Sequence, residues 1–202
     1  MPQYVTNNGK FFEAHEAVLT VGNRAFKYGD GLFETIRISN NKPQFIKEHL
    51  LRLSNGMSVF KMEPNSFFTE ENLTRAINEL SEKNEIGSDG RVRLTVYRND
   101  GGLYTPENNS VSYLLEVSKI EESGYVLNNK GLSVDLFNEF SKPKNVLSTI
   151  KSANAQIYVL AGLFKKKNNL DDCLLVNDKG YIIESISSNL FAVKTGVLYT
   201  SP

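Results

Sequence analysis

Two short stretches carry residue types that could do chemistry. Thr149-Ile150-Lys151-Ser152-Ala153-Asn154-Ala155-Gln156 sets a lysine among small and apolar residues. Gly180-Tyr181-Ile182-Ile183-Glu184-Ser185-Ile186-Ser187-Ser188-Asn189 ends an apolar strand on a glutamate and a hydroxyl-rich turn. Small and apolar neighbours favour desolvation of an amine, which lowers its pKa and frees a nucleophile for Schiff-base chemistry. A carboxylate on a strand near such a lysine could keep the ring nitrogen of pyridoxal phosphate protonated, as an electron sink. The hydroxyls and turn amides of Ser187, Ser188 and Asn189 could donate to a phosphate. Each feature also has a plainer use: most lysines sit on solvated faces, and turn serines can satisfy their own backbone.

His49 and Arg52 lie three apart on a predicted helix, where the guanidinium could hold a phosphate bidentately with the histidine in support. The helix alone favours a surface Arg52–Glu48 pair at i,i+4. Tyr28-Gly29-Asp30-Gly31-Leu32-Phe33-Glu34 opens a strand with two glycines. It lacks Gly-Lys-Ser/Thr and precedes a strand rather than a helix, so a tight turn with close backbone approach suits it better than a phosphate loop. Arg98 ends a strand ahead of a glycine loop, where a substrate carboxylate and solvent are equally good partners.

These groups need elements to hold them. Alternation around Asn7-Asn8-Gly9 predicts a hairpin. Leu32, Ile36 and Ile38 alternate as one strand, turned at Asn40-Asn41-Lys42-Pro43. Ile46, Leu50, Leu53, Met57 and Phe60 then recur at helical spacing. A second helix starts after Thr69, with early acids and Leu73, Ile77 and Leu80 in phase. Residues 91–98 and 111–117 read as long strands around a polar, glycine-rich loop, the kind that often carries substrate contacts. Glu121-Glu122-Ser123-Gly124 reads as a linker. Beyond it come a strand at 132–137, a helix from about Ser152 to Lys167 and three short strands, parted at residues 177–180 and 194–196. Strands mixed with helices rather than strictly alternating favour α+β over a doubly wound fold. The chain stops at Tyr199-Thr200-Ser201-Pro202 just after a strand, so a C-terminal portion is expected beyond it.

Composition narrows the function classes. Of 202 residues, 40% are hydrophobic, enough for a core, and 23 basic side chains balance 23 acidic ones, giving no electrostatic footprint for nucleic acid. Cys173 is the single cysteine, which excludes a disulfide framework and reads as a small buried strand residue. His15 and His49 are far apart with no His-x-x-x-His spacing, and no metal site is expected. No stretch approaches the roughly 20 apolar residues of a membrane span. The N-terminal residues lack the basic and apolar regions of a signal peptide, so a cytoplasmic setting is expected.

Taken in order, Tyr28–Arg37, His49-Leu50-Leu51-Arg52-Leu53, Lys151 with Asn154, Glu184 through Phe191, and Leu198-Tyr199-Thr200 resemble the class IV aminotransferases over nearly the whole chain. The resemblance implies a fold-type IV pyridoxal-phosphate enzyme. It would have a small N-terminal α/β domain over residues 1–119 and a larger pseudo-barrel domain over 120–202, incomplete at its C-terminus. It implies that Lys151 forms the Schiff base and moves the proton, that Glu184 pairs with the pyridine nitrogen, and that Arg52 binds the phosphate with help from Ser187, Ser188 and Asn189. Tyr28 and Arg98 resemble substrate-pocket positions, Arg98 acting across the interface of a homodimer. The implied substrates are an amino acid and a 2-oxo acid. Two departures leave the substrate open. Family members continue further, through a Gly-Ile/Val-Thr-Arg-like phosphate segment. Branched-chain aminotransferases also tend to carry tyrosine five residues after the lysine, where this chain has Gln156, while Asn154 looks more like the D-amino-acid aminotransferase and lyase branches. The runner-up is 4-amino-4-deoxychorismate lyase, which releases pyruvate and 4-aminobenzoate; a non-catalytic fold relative that binds a ligand is third.

Overall fold

In the computed structural model, residues 3–121, 125, 127 and 129–200 are described. The chain packs as two units: Met1–Val126 with Ile150–Asn154, and Leu127–Thr149 with Ala155–Pro202. The division is discontinuous, unlike the single boundary expected at 119/120, because five residues around Lys151 fold with the first unit. Of the expected linker, residues 122–124 lie outside the described residues.

The first unit is an antiparallel sheet covered by two helices. β1 (Tyr4–Asn7) and β2 (Lys10–Glu13) form the predicted hairpin, with Asn8 and Gly9 at positive φ as a two-residue turn of this kind requires. Then come α1 (Arg24–Tyr28), β3 (Gly31–Ser39), β4 (Lys42–Pro43), α2 (Ile46–Val59), α3 (Glu70–Lys83), β5 (Gly90–Arg98) and β6 (Val111–Lys119). The sheet order is β2-β1-β6-β5-β3-β4. Alternation sends Leu32, Ile36, Ile38, Val92, Leu94, Val96, Leu115 and Val117 to one face, where Leu53, Met57, Leu73, Ile77 and Leu80 close the core. Thr69 caps α3, its hydroxyl accepting from the Asn72 amide at 3.2 Å. The short helix α1, which sequence patterning passes over, is capped by Asn23 through the Phe26 amide and ended by Gly29 at φ 67°.

In the second unit, β7 (Val134–Lys142) runs parallel to β8 (Asp172–Asn177), joined through a 3-10 turn at Val146–Thr149 and α4 (Gln156–Lys167). β9 (Ile182–Ser185) adds antiparallel to β8, and β10 (Phe191–Lys194) pairs with β11 (Val197–Thr200). Phe137, Ala161, Cys173 and Leu175 form a small buried core. Cys173 is the buried residue expected; burial raises its thiol pKa and the sulfur reaches the Ala161 carbonyl at 3.3 Å. Two expectations change. Helix α4 begins at Gln156, not Ser152, because the preceding residues pair with β3. The C-terminal segment holds four strands after α4 rather than three, since Ile186–Leu190 breaks the chain between β9 and β10. Among the described residues, no helix is long and apolar enough to cross a membrane.

Candidate active site

Lys151 stands beside the outer edge of β3. The Phe33 amide donates to the Lys151 carbonyl at 2.9 Å and the Ala153 amide to the Gly31 carbonyl at 2.8 Å, with Leu32 opposite Ser152. Gly31 serves the packing of β3 on β5 and α1: a Cβ there would lie 3.0 Å from the Val96 carbonyl oxygen and 3.1 Å from Ala25 Cβ, while 3.6 Å to Ala153 Cβ is ordinary contact. The Lys151 ammonium lies 4.6 Å from the Phe33 ring centroid, and the Arg93 guanidinium lies 4.1 Å from the same ring. Arg93 is exposed on the outer face of β5; the partial desolvation of its guanidinium lowers its pKa, opposed by Glu116 directly across the strand pair. Sequence reasoning missed Arg93, whose place became visible only through the pairing of β3 with β5. Lys151 itself is exposed, not desolvated as its small neighbours suggested, because Ser152 and Ala153 line β3 instead of enclosing the amine.

Arg52 does not form the helix-surface pair with Glu48. Its Nε donates to Glu34 Oε1 at 2.7 Å, its Nη2 donates to Glu34 Oε2, and His49 Nδ1 lies 2.8 Å from that same Oε2. Glu34 is 1% exposed, on the strand face shared by Leu32 and Ile36. Burial pushes its pKa up, but the bonds from Arg52 and His49 outweigh that, and the carboxyl ends below the usual range. The Arg52 side chain remains 52% exposed, and among the described residues its Nη1 donates no hydrogen bond. One edge of the guanidinium is therefore available to an anion. A glutamate in the inward register of an otherwise apolar strand was the available sequence signal for Glu34.

Arg98 is placed differently from the expected substrate contact. It is 5% exposed, and its donors go to Asp30 Oδ2 at 2.9 Å, Asn109 Oδ1 at 2.5 Å and the Phe60 carbonyl at 2.7 Å, with longer bonds to Asp30 Oδ1 and the Lys61 carbonyl. All five N–H groups are occupied by partners within this chain. Asp30 also accepts from Arg24 Nε at 2.9 Å, and Arg24 reaches the Gly101, Leu103 and Tyr104 carbonyls, tying down the glycine loop. Tyr28 is half-buried at the end of α1, its ring 5.5 Å from that of Tyr104.

In the second unit, Glu184 is the penultimate residue of β9. Lys142 Nζ donates to Glu184 Oε1 at 2.7 Å, and the Tyr158 hydroxyl donates to the same oxygen at 2.9 Å. Lys142 also donates to the Tyr158 oxygen at 2.8 Å. Burial lowers the Lys142 pKa, but the bonds to Glu184 and Tyr158 more than compensate and leave it raised. Burial also raises Tyr158, which keeps its proton to donate. The Ser187-Ser188-Asn189 turn is exposed; the Ser188 amide donates to Ser185 Oγ at 3.1 Å and its carbonyl accepts from the Ser185 amide.

The family model for class IV amino-transferases matches residues 31–202. A putative branched-chain-amino-acid aminotransferase of Methanocaldococcus jannaschii is 29% identical over 96% of this chain and 67% of its own length. A D-alanine aminotransferase of Bacillus licheniformis is 25% identical over the same shares. The T.th. branched-chain amino acid aminotransferase, solved with N-(5′-phosphopyridoxyl)-L-glutamate, superimposes with a TM-score of 0.84 at 28% identity, covering 98% of this chain and 67% of that one. The chain thus spans about two thirds of the length of these relatives. The exposed lysine beside β3, the partly open Arg52 and the Glu184 carboxylate sit within the matched span, and the chain belongs to the class IV aminotransferases, with a fold-type IV architecture.

Proposed function

We propose that this protein transfers an amino group between an amino acid and a 2-oxo acid with pyridoxal phosphate, through a Schiff base at Lys151. One observation carries the reading: an exposed lysine whose backbone is pinned to a sheet edge, its ammonium over an aromatic ring that Arg93 also contacts. The donor set fits the cofactor. Lys151 offers the amine, Glu184 a carboxylate for the ring nitrogen, and Arg52 Nη1 with Ser187, Ser188 and Asn189 donors for the phosphate. When bound, the cofactor supplies an electron sink at the substrate's Cα.

The chain's own residues do the rest. Glu34 takes Nε and Nη2 of Arg52 and so fixes the direction of Nη1. Lys151 Nζ carries the proton leaving Cα, a task suited to an amine on a flexible stem above a rigid backbone. Arg93, which shares the Phe33 ring with Lys151, offers a substrate carboxylate a guanidinium. Tyr28, beside the anchored glycine loop, lines the substrate pocket. The family likeness also carries the reading as a cytoplasmic homodimer, which light scattering and cell fractionation check.

Mixing the protein with pyridoxal phosphate should give an absorbance band at roughly 410–430 nm, where Schiff bases to lysine absorb, and Lys151→Ala should remove it. Persistence of the band in that variant sinks the Lys151 assignment. Amino transfer to 2-oxoglutarate or pyruvate, run with branched-chain L-amino acids and with D-alanine, tests the reaction. Formation of 4-aminobenzoate from 4-amino-4-deoxychorismate in place of amino transfer would mark a lyase.

A further inference from the structure

Glu184 occupies one corner of a closed triangle whose other corners are Lys142 and Tyr158. The three come from different elements, the end of β7, the first turn of α4 and β9, and every side of the triangle is a hydrogen bond of 2.7–2.9 Å. Both donors fall on Oε1. Among the described residues, Oε2 accepts nothing. The group is neither a loose surface pair nor a sealed ion pair: Lys142 is 19% exposed and Glu184 30%. Tyr158 packs on the core made by Phe137, Ala161, Cys173 and Leu175, which fixes its ring.

We infer that Lys142 and Tyr158 are positioning residues for the Glu184 carboxylate, locking Oε1 so that Oε2 meets a protonated ring nitrogen of the cofactor. The inference rests on the reading of Glu184 given under Proposed function. Two donors on one oxygen remove the torsional freedom a glutamate otherwise keeps, so little ordering is left for the moment the ring binds. Tyr158 closes the circuit: it accepts from the ammonium and donates to the carboxylate, so its one proton and one lone pair are both used.

The test compares binding of pyridoxal phosphate with binding of its 1-deaza analogue, in which a C–H replaces the ring nitrogen. Dissociation constants are read by protein fluorescence for the wild-type chain, Lys142→Met, Lys142→Arg and Tyr158→Phe. A charge-assisted hydrogen bond to Oε2 should give the wild type a preference of about tenfold or more for the natural cofactor. Lys142→Met should cut that preference to about twofold or less and Tyr158→Phe to about threefold, while Lys142→Arg keeps most of it. A residue that only stabilises the fold would weaken both ligands equally. An undiminished preference in Lys142→Met overturns the inference; should that variant fail to fold, an undiminished preference in Tyr158→Phe does so. A wild-type chain that binds both ligands equally, yet shows the Schiff-base band, also overturns it and leaves the Lys151 chemistry standing. Absence of the band in the wild type instead removes the aminotransferase reading, and the inference with it.

Discussion

Glu34 and Glu184 are built from similar parts and finished differently. Each sits on a strand with a cation and a ring-bearing polar side chain as partners: Arg52 and His49 in one case, Lys142 and Tyr158 in the other. Around Glu34 both carboxylate oxygens are taken, and the residue is sealed into the core face of β3. Around Glu184 both donors share one oxygen and the other stays open. A saturated carboxylate can only hold its neighbours in place. A half-saturated one, aimed by its neighbours, can receive a ligand.

The largest difference should appear in stability. Glu34→Ala leaves His49 and Arg52 facing a buried hole and should cost about 3 kcal/mol, at the lower end for a broken buried pair because Arg52 is half-exposed. Glu184→Ala, in a partly exposed cluster, should cost about 1 kcal/mol or less. Urea denaturation of the two variants measures both, and equal losses would erase the distinction. Cofactor affinity should reverse the order of sensitivity. Glu184→Gln should weaken pyridoxal phosphate binding by about tenfold, through loss of the charge-assisted bond, with a small change in the urea midpoint.

The pH dependence sharpens the contrast further. Glu34 has a pKa below its ordinary value of 4.5, so its stabilisation is present above that value and disappears as pH falls through the lower folded one. Lys142 has a pKa above its ordinary 10.5, so its stabilisation is complete below that value and disappears as pH rises through the higher folded one. The two clusters should fail at opposite ends of the scale. Thermal melts would show Glu34→Gln flattening the acid limb alone and Lys142→Met the alkaline limb alone. As a control on both, Thr69→Ala removes a helix cap far in sequence from both carboxylates. It should cost about 1 kcal/mol and leave cofactor affinity unchanged.

Much of this is legible in the sequence. The hairpin at Asn8-Gly9, the alternation of β3 and the in-phase Leu73, Ile77 and Leu80 of α3 follow from local periodicity, and the structure keeps them. Partners distant in sequence were not legible. Arg52 reaches back 18 residues to Glu34, although a glutamate in phase with Leu32 and Ile36 hinted at such a need. Lys142 carries no local signal, because its place beside Glu184 depends on the parallel pairing of β7 with β8 and on β9 joining β8. Ser152–Ala155 suit a helix by composition, yet pairing with β3 overrides that propensity and delays α4 to Gln156. The partners of Arg98 are legible only through packing: its five N–H groups go to Asp30, Asn109 and the Phe60 and Lys61 carbonyls.

The five residues Ile150–Asn154 are a guest strand: their covalent neighbours on both sides belong to the second unit, while their hydrogen bonds belong to the first. The Phe33 and Ala153 amides hold this segment to β3 and resist any pull along the chain on Lys151. Cutting the chain near residue 127 would not free the lysine from β3, since the connection that holds it there is not covalent. Hydrogen exchange at those two amides would be a direct gauge of how firmly the nucleophile is seated.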